Sequence, residues 1–300
     1  MDIAWSVEYA KRQSQRPVFG IFTMFQRILH PTDLSRESEV PFVHALKIAL
    51  QAKGRLEVIH VDPHPEYLHW NQYPHVRETL GKWGFLPEHA SFKELQRLGL
   101  GVRKVNITGS NPVTSILAEL SLIPEDLMVL GTHGRSGIDR LIHGEVGSKL
   151  SRLSRTMSLF FPVGCDGFVD RQSGDAAISR VVVPIDGYLD PRPALEATHQ
   201  LATLLEVERL TISLLHVGKS SAALSNLELP LPGISWETDL RAGEVISEIV
   251  AAAEDPSADL IALTTAGRHG FLDMLRGSTT ERLLQQARCP VLAVPVPGGS

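Results

Sequence analysis

Cysteine is nearly absent: the chain of 300 residues holds two, Cys165 and Cys289. Neither stands in a CxxC pair or a Cys/His finger spacing. That excludes a disulfide framework and makes a reducing cytoplasm the expected location. Charge of one sign is also lacking, since the formal net charge is only -5. Such a balance gives no footing for nucleic acid or an anionic membrane as partner. No apolar run approaches the length needed to span a bilayer. At the N-terminus a few basic residues precede only the short run VFGIFTMF, with no small-residue cleavage site. Residues 1–23 therefore read as an irregular extension and not as a signal peptide.

The familiar catalytic signatures are missing as well. There is no GxxxxGK[ST] P-loop, no GxGxxG fingerprint, no GxSxG elbow, no HExxH helix and no SGGxDS loop. Without a nucleophile, an acid–base pair or a metal cage, no machinery for turnover is visible, and the chain reads as a non-enzyme. Slow hydrolysis of a bound nucleotide would not define it.

What is present is a soluble-protein composition, 43% apolar and 21% charged, and an internal repeat. RILHPTDLS (Arg27 to Ser35) matches RVVVPIDGY (Arg180 to Tyr188). EVIHV (Glu57 to Val61) matches SLLHV (Ser213 to Val217), and DLMVLGTHGRSG (Asp126 to Gly137) matches DLIALTTAGRHG (Asp259 to Gly270). Three pieces in the same order mark a duplication. Copy one is expected over 24–163 and copy two over 178–297, joined by a linker at 164–177 within the Gly-, Ser- and charge-rich stretch Gly164 to Ser179.

In each copy short apolar runs alternate with helix-length amphipathic stretches. In the first the runs are RILHP, LEVIHV, VRKVNIT, DLMVLG and SLFFPV. Ser35 to Lys53 puts Val43, Leu46, Ala49 and Leu50 on one helical face and stops at Gly54. This pattern predicts an α/β fold of two tandem doubly wound domains, each with a mainly five-stranded parallel sheet. The first copy carries an insertion between Val61 and Gly131, with a helix expected around Ala90 to Leu98. The second has a proline-rich stretch there, unsuited to a full crossover helix.

Gly131 to Val146 leaves a strand, turns, and enters a helix near Gly144. Glycines there permit close backbone approach, and the helix start directs unpaired N–H groups and a positive dipole end into the same crevice. Such an arrangement suits an anion, phosphate above all, although a bare turn would use glycine in the same way.

HPTDLS, the HV that ends the second run, and GTHGRSG followed by a later glycine together resemble the universal stress protein family, over Met24 to Pro297 in two copies. The resemblance implies a doubly wound domain that binds ATP through a G-x2-G-x9-G-[S/T] loop, and pairing through the last strand. In a tandem chain that pairing would join SLFFPVG to LAVPVPG and relate the two copies by a pseudo-two-fold. Carried over by position, Asp33 and Asp186 would read the adenine, with Val61 and Val217 beside the base. Gly131, Gly134 and Gly144 would line the first ribose–phosphate path; Gly267, Gly277, Ser278 and Thr279 would line the second. Mg²⁺ accompanying the nucleotide is the sole metal implied.

Both loops depart from the pattern. Glu145 stands where a hydroxyl is expected, adding negative charge and removing a donor. Thr264 replaces the first glycine of the second loop, which is expected to place a branched side chain beside the ribose path. Asp33 and Asp186 also suit turns after strands, and Ser278 with Glu281 fits a helix capping box. The preferred reading is a stress-response regulator that binds ATP or another adenine nucleotide in at least one copy. Its rival is a degenerate scaffold that binds a protein partner through the insertion. A metal site among His60, His64, His69, His75 and His89 is the weakest, since no HxxxH spacing or flanking cysteine accompanies them. Trp70 and Trp83 are expected to cap the apolar sheet edge.

Overall fold

Strand runs in both copies are short, apolar and covered on both faces, as a parallel sheet between helical layers requires. The computed structural model describes residues 24–64, 70–132, 145–221, 224, 233–265 and 278–296. The first copy gives β1 (Arg27–Pro31), β2 (Arg55–Asp62), β3 (Gly101–Thr108), β4 (Leu127–Gly131) and β5 (Met157–Phe161). The second gives β6 (Arg180–Pro184), β7 (Leu210–Val217), β8 (Ile234–Arg241), β9 (Leu260–Thr265) and β10 (Val291–Pro295). They form one ten-stranded sheet in the order β3-β2-β1-β4-β5-β10-β9-β6-β7-β8. Every pairing is parallel except the central one, where β5 and β10 run antiparallel with Leu159 opposite Leu292. The α/β architecture expected from the sequence is thus present, as two five-stranded halves in mirrored strand order.

Eight helices are described: α1 (Glu39–Gln51), α2 (Val76–Lys82), α3 (Phe92–Arg97), α4 (Pro112–Leu122), α5 (Glu145–Ser154), α6 (Arg192–Leu204), α7 (Val245–Glu254) and α8 (Ser278–Gln286). Period-two alternation sorts the core. Ile28, Leu56, Val181 and Ala262 face the layer of α1 and α6, while Leu29, Ile59, Val182 and Ile261 face the layer of α4, α5, α7 and α8. One aspartate in each copy pins the start of the central strand. Asp126 accepts from the Arg27 N–H at 2.9 Å and its guanidinium at 2.7 Å. Asp259 accepts from the N–H groups of Ser179 at 2.6 Å and Arg180 at 3.0 Å.

The insertion differs from its sequence reading. It holds α2 as well as α3, and its large side chains turn inward: Tyr73, Leu80 and Trp83 are buried in the α1 layer. Tyr73 donates its hydroxyl to the Val105 carbonyl on the edge strand β3, so the edge is capped by a tyrosine. Trp83 sits instead over the connection between copies, donating its indole N–H to the Arg171 carbonyl at 3.2 Å. The side chain of Trp70 lies outside what is described. α1 is accordingly buried along all of Pro41 to Leu50, not on one face. Its counterpart α6, with no such cover among the described residues, buries one side only.

The Gly- and Ser-rich connection is packed into the fold. Cys165, Phe168, Val169 and Ile178 are buried in the same core. Composition hid these anchors, because they are spaced singly among polar residues. His44 of α1 fastens the segment. Its Nδ1 bonds the Val40 carbonyl at 2.7 Å, and its Nε2 accepts from the N–H groups of Phe168 and Val169 at 2.8 and 2.9 Å. That pattern fixes a neutral imidazole with the proton on Nδ1. Burial also pulls its pKa down to about 3.

Gly54 shows how glycine can be required without an unusual φ. Lys53 takes the left-handed conformation (φ 49°) after α1. At Gly54 an added Cβ would lie 2.4 Å from the Gln26 carbonyl oxygen. Gly54→Ala should therefore cost about 2 kcal/mol or more in urea unfolding, since backbone must move; an unchanged midpoint would contradict this. His44 makes a second prediction. Its folded pKa lies below the ordinary 6.5, so its contribution is complete above pH 6.5 and is lost as pH falls toward 3. Between pH 7 and 4.5 the wild type should lose about 2 kcal/mol more than His44→Gln, which cannot titrate. Equal acid sensitivity would refute the role.

Candidate functional site

In mirrored halves of this kind, chain direction across the sheet reverses between β1 and β4, and again between β6 and β9. Crevices open outside the carboxyl ends of strands at such switch points. Asp33 directly follows β1 by two residues and Asp186 follows β6 by two, so both candidate carboxylates stand at a switch point. Each is followed by a residue in the left-handed region, Leu34 (φ 61°) and Gly187 (φ 80°). For leucine that conformation is strained, and it is held by the hydrogen bonds around it.

The two carboxylates are used differently. Asp33 Oδ1 accepts from the Ser35 N–H at 3.0 Å, the Ser35 hydroxyl at 2.6 Å and the Ser38 hydroxyl at 2.7 Å. Asp186 Oδ1 accepts from the N–H groups of Tyr188 and Leu189 at 2.8 and 2.9 Å. Both therefore do the turn work that the sequence allowed as the plainer alternative.

Behind each aspartate stands a histidine that sequence reasoning quoted but gave no role here. His60 Nδ1 bonds the Thr32 carbonyl at 2.8 Å, and His216 Nδ1 bonds the Ile185 carbonyl at 2.7 Å. Each ring thus ties the end of the neighbouring strand to the residue just before the aspartate. The signal was available in the matched pairs EVIHV and SLLHV, where histidine recurs at the same step. Val61 and Val217 follow these histidines and lie half-buried against the core under α4 and α7. At the next position the copies diverge. Asp62 Oδ2 lies 3.8 Å from His60 Nε2, whereas at Gly218 a Cβ would lie 2.5 Å from His216 Nε2.

Gly131 ends β4, with Phe161 of β5 beside it. Its counterpart Thr264 corrects the expectation of a side chain beside the ribose path. Thr264 is buried, and its Oγ1 accepts from the Ala194 N–H at 3.3 Å, in the first turn of α6. Alternation along β9 directs position 264 to the α6 layer, like Ala262, and a helix-start N–H there needs an acceptor. The hydroxyl serves the fold. Glu145 opens α5 where Ser278 and Thr279 open α8. Gly134, Gly144, Gly267 and Gly277 lie outside the described residues, as does His69.

Other chemistry finds little support among the described residues. No three His, Cys, Asp or Glu side chains gather closely enough to hold a metal ion. Both cysteines are buried, and burial pushes the Cys289 thiol up to about 12, which starves it of thiolate at neutral pH. No described helix is long and apolar enough to cross a membrane.

The family model for the universal stress protein family matches residues 24–162 and 219–295, most of the chain. The chain belongs to the universal stress protein family. A relative in Methanocaldococcus jannaschii, named a universal stress protein, is 42% identical over 65 residues, which cover 22% of this chain and 38% of that protein. The chain therefore aligns with well under half of that relative's length. This universal stress protein also shares its fold with a crystal structure of a universal stress protein from Archaeoglobus fulgidus. The TM-score is 0.61 at 18% identity, covering 91% of this chain and 97% of the other. A structure from Pseudomonas aeruginosa follows, with TM-score 0.59 at 15% identity, covering 91% and 95%.

The reassigned Thr264 can be checked directly. Thr264→Val keeps the shape but removes the acceptor for the Ala194 N–H. It should cost about 1–2 kcal/mol of stability in chemical unfolding. A variant as stable as wild type would mean that the hydroxyl does not cap α6.

Proposed function

We propose that this universal stress protein is a cytoplasmic stress-response regulator that binds ATP or another adenine nucleotide in at least one crevice, and that its role is not turnover. The observation that supports it is the recurrence, at both switch points, of one arrangement: an aspartate after the central strand, with its loop braced by a histidine from the next. A carboxylate there can accept from the adenine amino group, and helix starts beside it favour phosphate. The rival scaffold reading places its contact surface in the insertion, whose Tyr73, Leu80 and Trp83 are buried inside the fold.

The test is to denature freshly purified protein, identify the small molecules released, and follow melting with ATP, ADP and AMP. An adenine nucleotide in the extract is expected, or a melting temperature that rises with ligand. At a hundredfold excess over Kd, linkage supplies about 2.7 kcal/mol. No adenine compound in the extract and no shift with any of the three would refute the proposal.

A further inference from the structure

Resting on that reading, we infer that the two crevices are not equivalent: one nucleotide binds per chain, in the second crevice, with Tyr188 as an aromatic platform for its base. Three differences among described residues converge on the base end. The first is the carboxylate. Asp33 Oδ1 is shared by three donors of its own loop, two of them hydroxyls. Asp186 uses Oδ1 for two backbone N–H groups, and its Oδ2 has no partner among the described residues. Asp186 thus keeps an oxygen that can accept from the adenine amino group at no internal cost, while Asp33, held by three donors of its loop and by a further interaction, is the more engaged of the two.

The second difference is charge. Asp62 closes β2 in the first crevice, and Gly218 stands at the same step in the second. A carboxylate at the strand end repels a ligand that itself carries several negative charges. Gly218 adds none.

The third is the aromatic. Counting from the aligned aspartates, Ser35 in the first copy corresponds to Tyr188 in the second. Ser35 is buried and hydrogen-bonded to Asp33, whereas Tyr188 is 89% exposed. Its N–H is held by Asp186 Oδ1, so the residue stands on a braced turn two positions after that carboxylate. A tyrosine so exposed earns nothing from burial, yet it offers a π-face to a base lying against Asp186. It is a positioning residue for the base, with no part in chemistry.

Calorimetric titration of the full chain with ATP and GTP tests this, using wild type, Asp186→Asn and Tyr188→Ser. Asparagine keeps an acceptor for the turn but puts an amide donor where Oδ2 was, facing the adenine amino group and welcoming the guanine carbonyl. The expected stoichiometry is one ATP per chain, with ATP preferred over GTP. Asp186→Asn should weaken ATP about tenfold or more and erase or reverse that preference. Tyr188→Ser should weaken both nucleotides by about fivefold or more, since stacking is base-tolerant. Two ATP per chain would overturn the inference and leave the proposed function standing. So would one ATP whose affinity and base preference ignore both substitutions. No binding of ATP by wild type would instead sink the proposed function, and this inference with it.

Discussion

The contact on which the molecule turns is the antiparallel pairing of β5 with β10. Each copy ends in a strand that is buried on both faces, and such a strand left at an edge would invite uncontrolled pairing. Joining the two ends removes both edges at once. It sets Phe160 opposite Val291 and Leu159 opposite Leu292, all buried. The cores on either face of the sheet then run through both copies without a break. The seam has adapted to local volume. Gly147 of α5 lets Phe160 approach, since a Cβ there would lie 3.3 Å from its ring.

From that seam the functional arrangement follows. Mirrored strand order places the two switch points symmetrically, and at each an aspartate follows the central strand. The aspartates at the opposite strand ends, Asp126 and Asp259, are architectural, because they hold the backbone N–H groups where the central strands start. Asp33 and Asp186 also do turn work, but to different degrees, and duplicated sites can drift apart in this way. One copy can be bound into its own loop while the other retains an open acceptor. The fold tolerates the drift because its stability lies in the sheet and its helical layers, not in the loops.

Much of this was legible in the residues. All five apolar runs of the first copy became strands, and three matched pieces disclosed the duplication, because buried parallel strands write themselves as short apolar runs. Less legible was anything that depended on what lies across a surface. α1 reads as amphipathic in sequence but is buried all round, since its outer cover comes from the insertion and the connection, 88 residues apart where Trp83 meets Arg171. Thr264 looked like an obstruction in a loop pattern, whereas strand alternation turns it to α6. The packing of the connection was not legible, because Phe168, Val169 and Ile178 are scattered among polar residues and the histidine that holds the segment lies in α1. At the site, the type and place of Asp33, Val61, Asp186 and Val217 could be read. How each carboxylate uses its oxygens could not, since that depends on how the loop brings its N–H and hydroxyl donors around them.

The most direct test of the account is native-state hydrogen exchange of the backbone amides in β5 and β10. If the seam unites the two copies into one cooperative unit, these amides should exchange only through global unfolding, with the same free energy and denaturant dependence as the central strands β1 and β6. Exchange of β5 and β10 through a smaller opening that leaves β1 and β6 protected would show that the copies part while folded, and would contradict it.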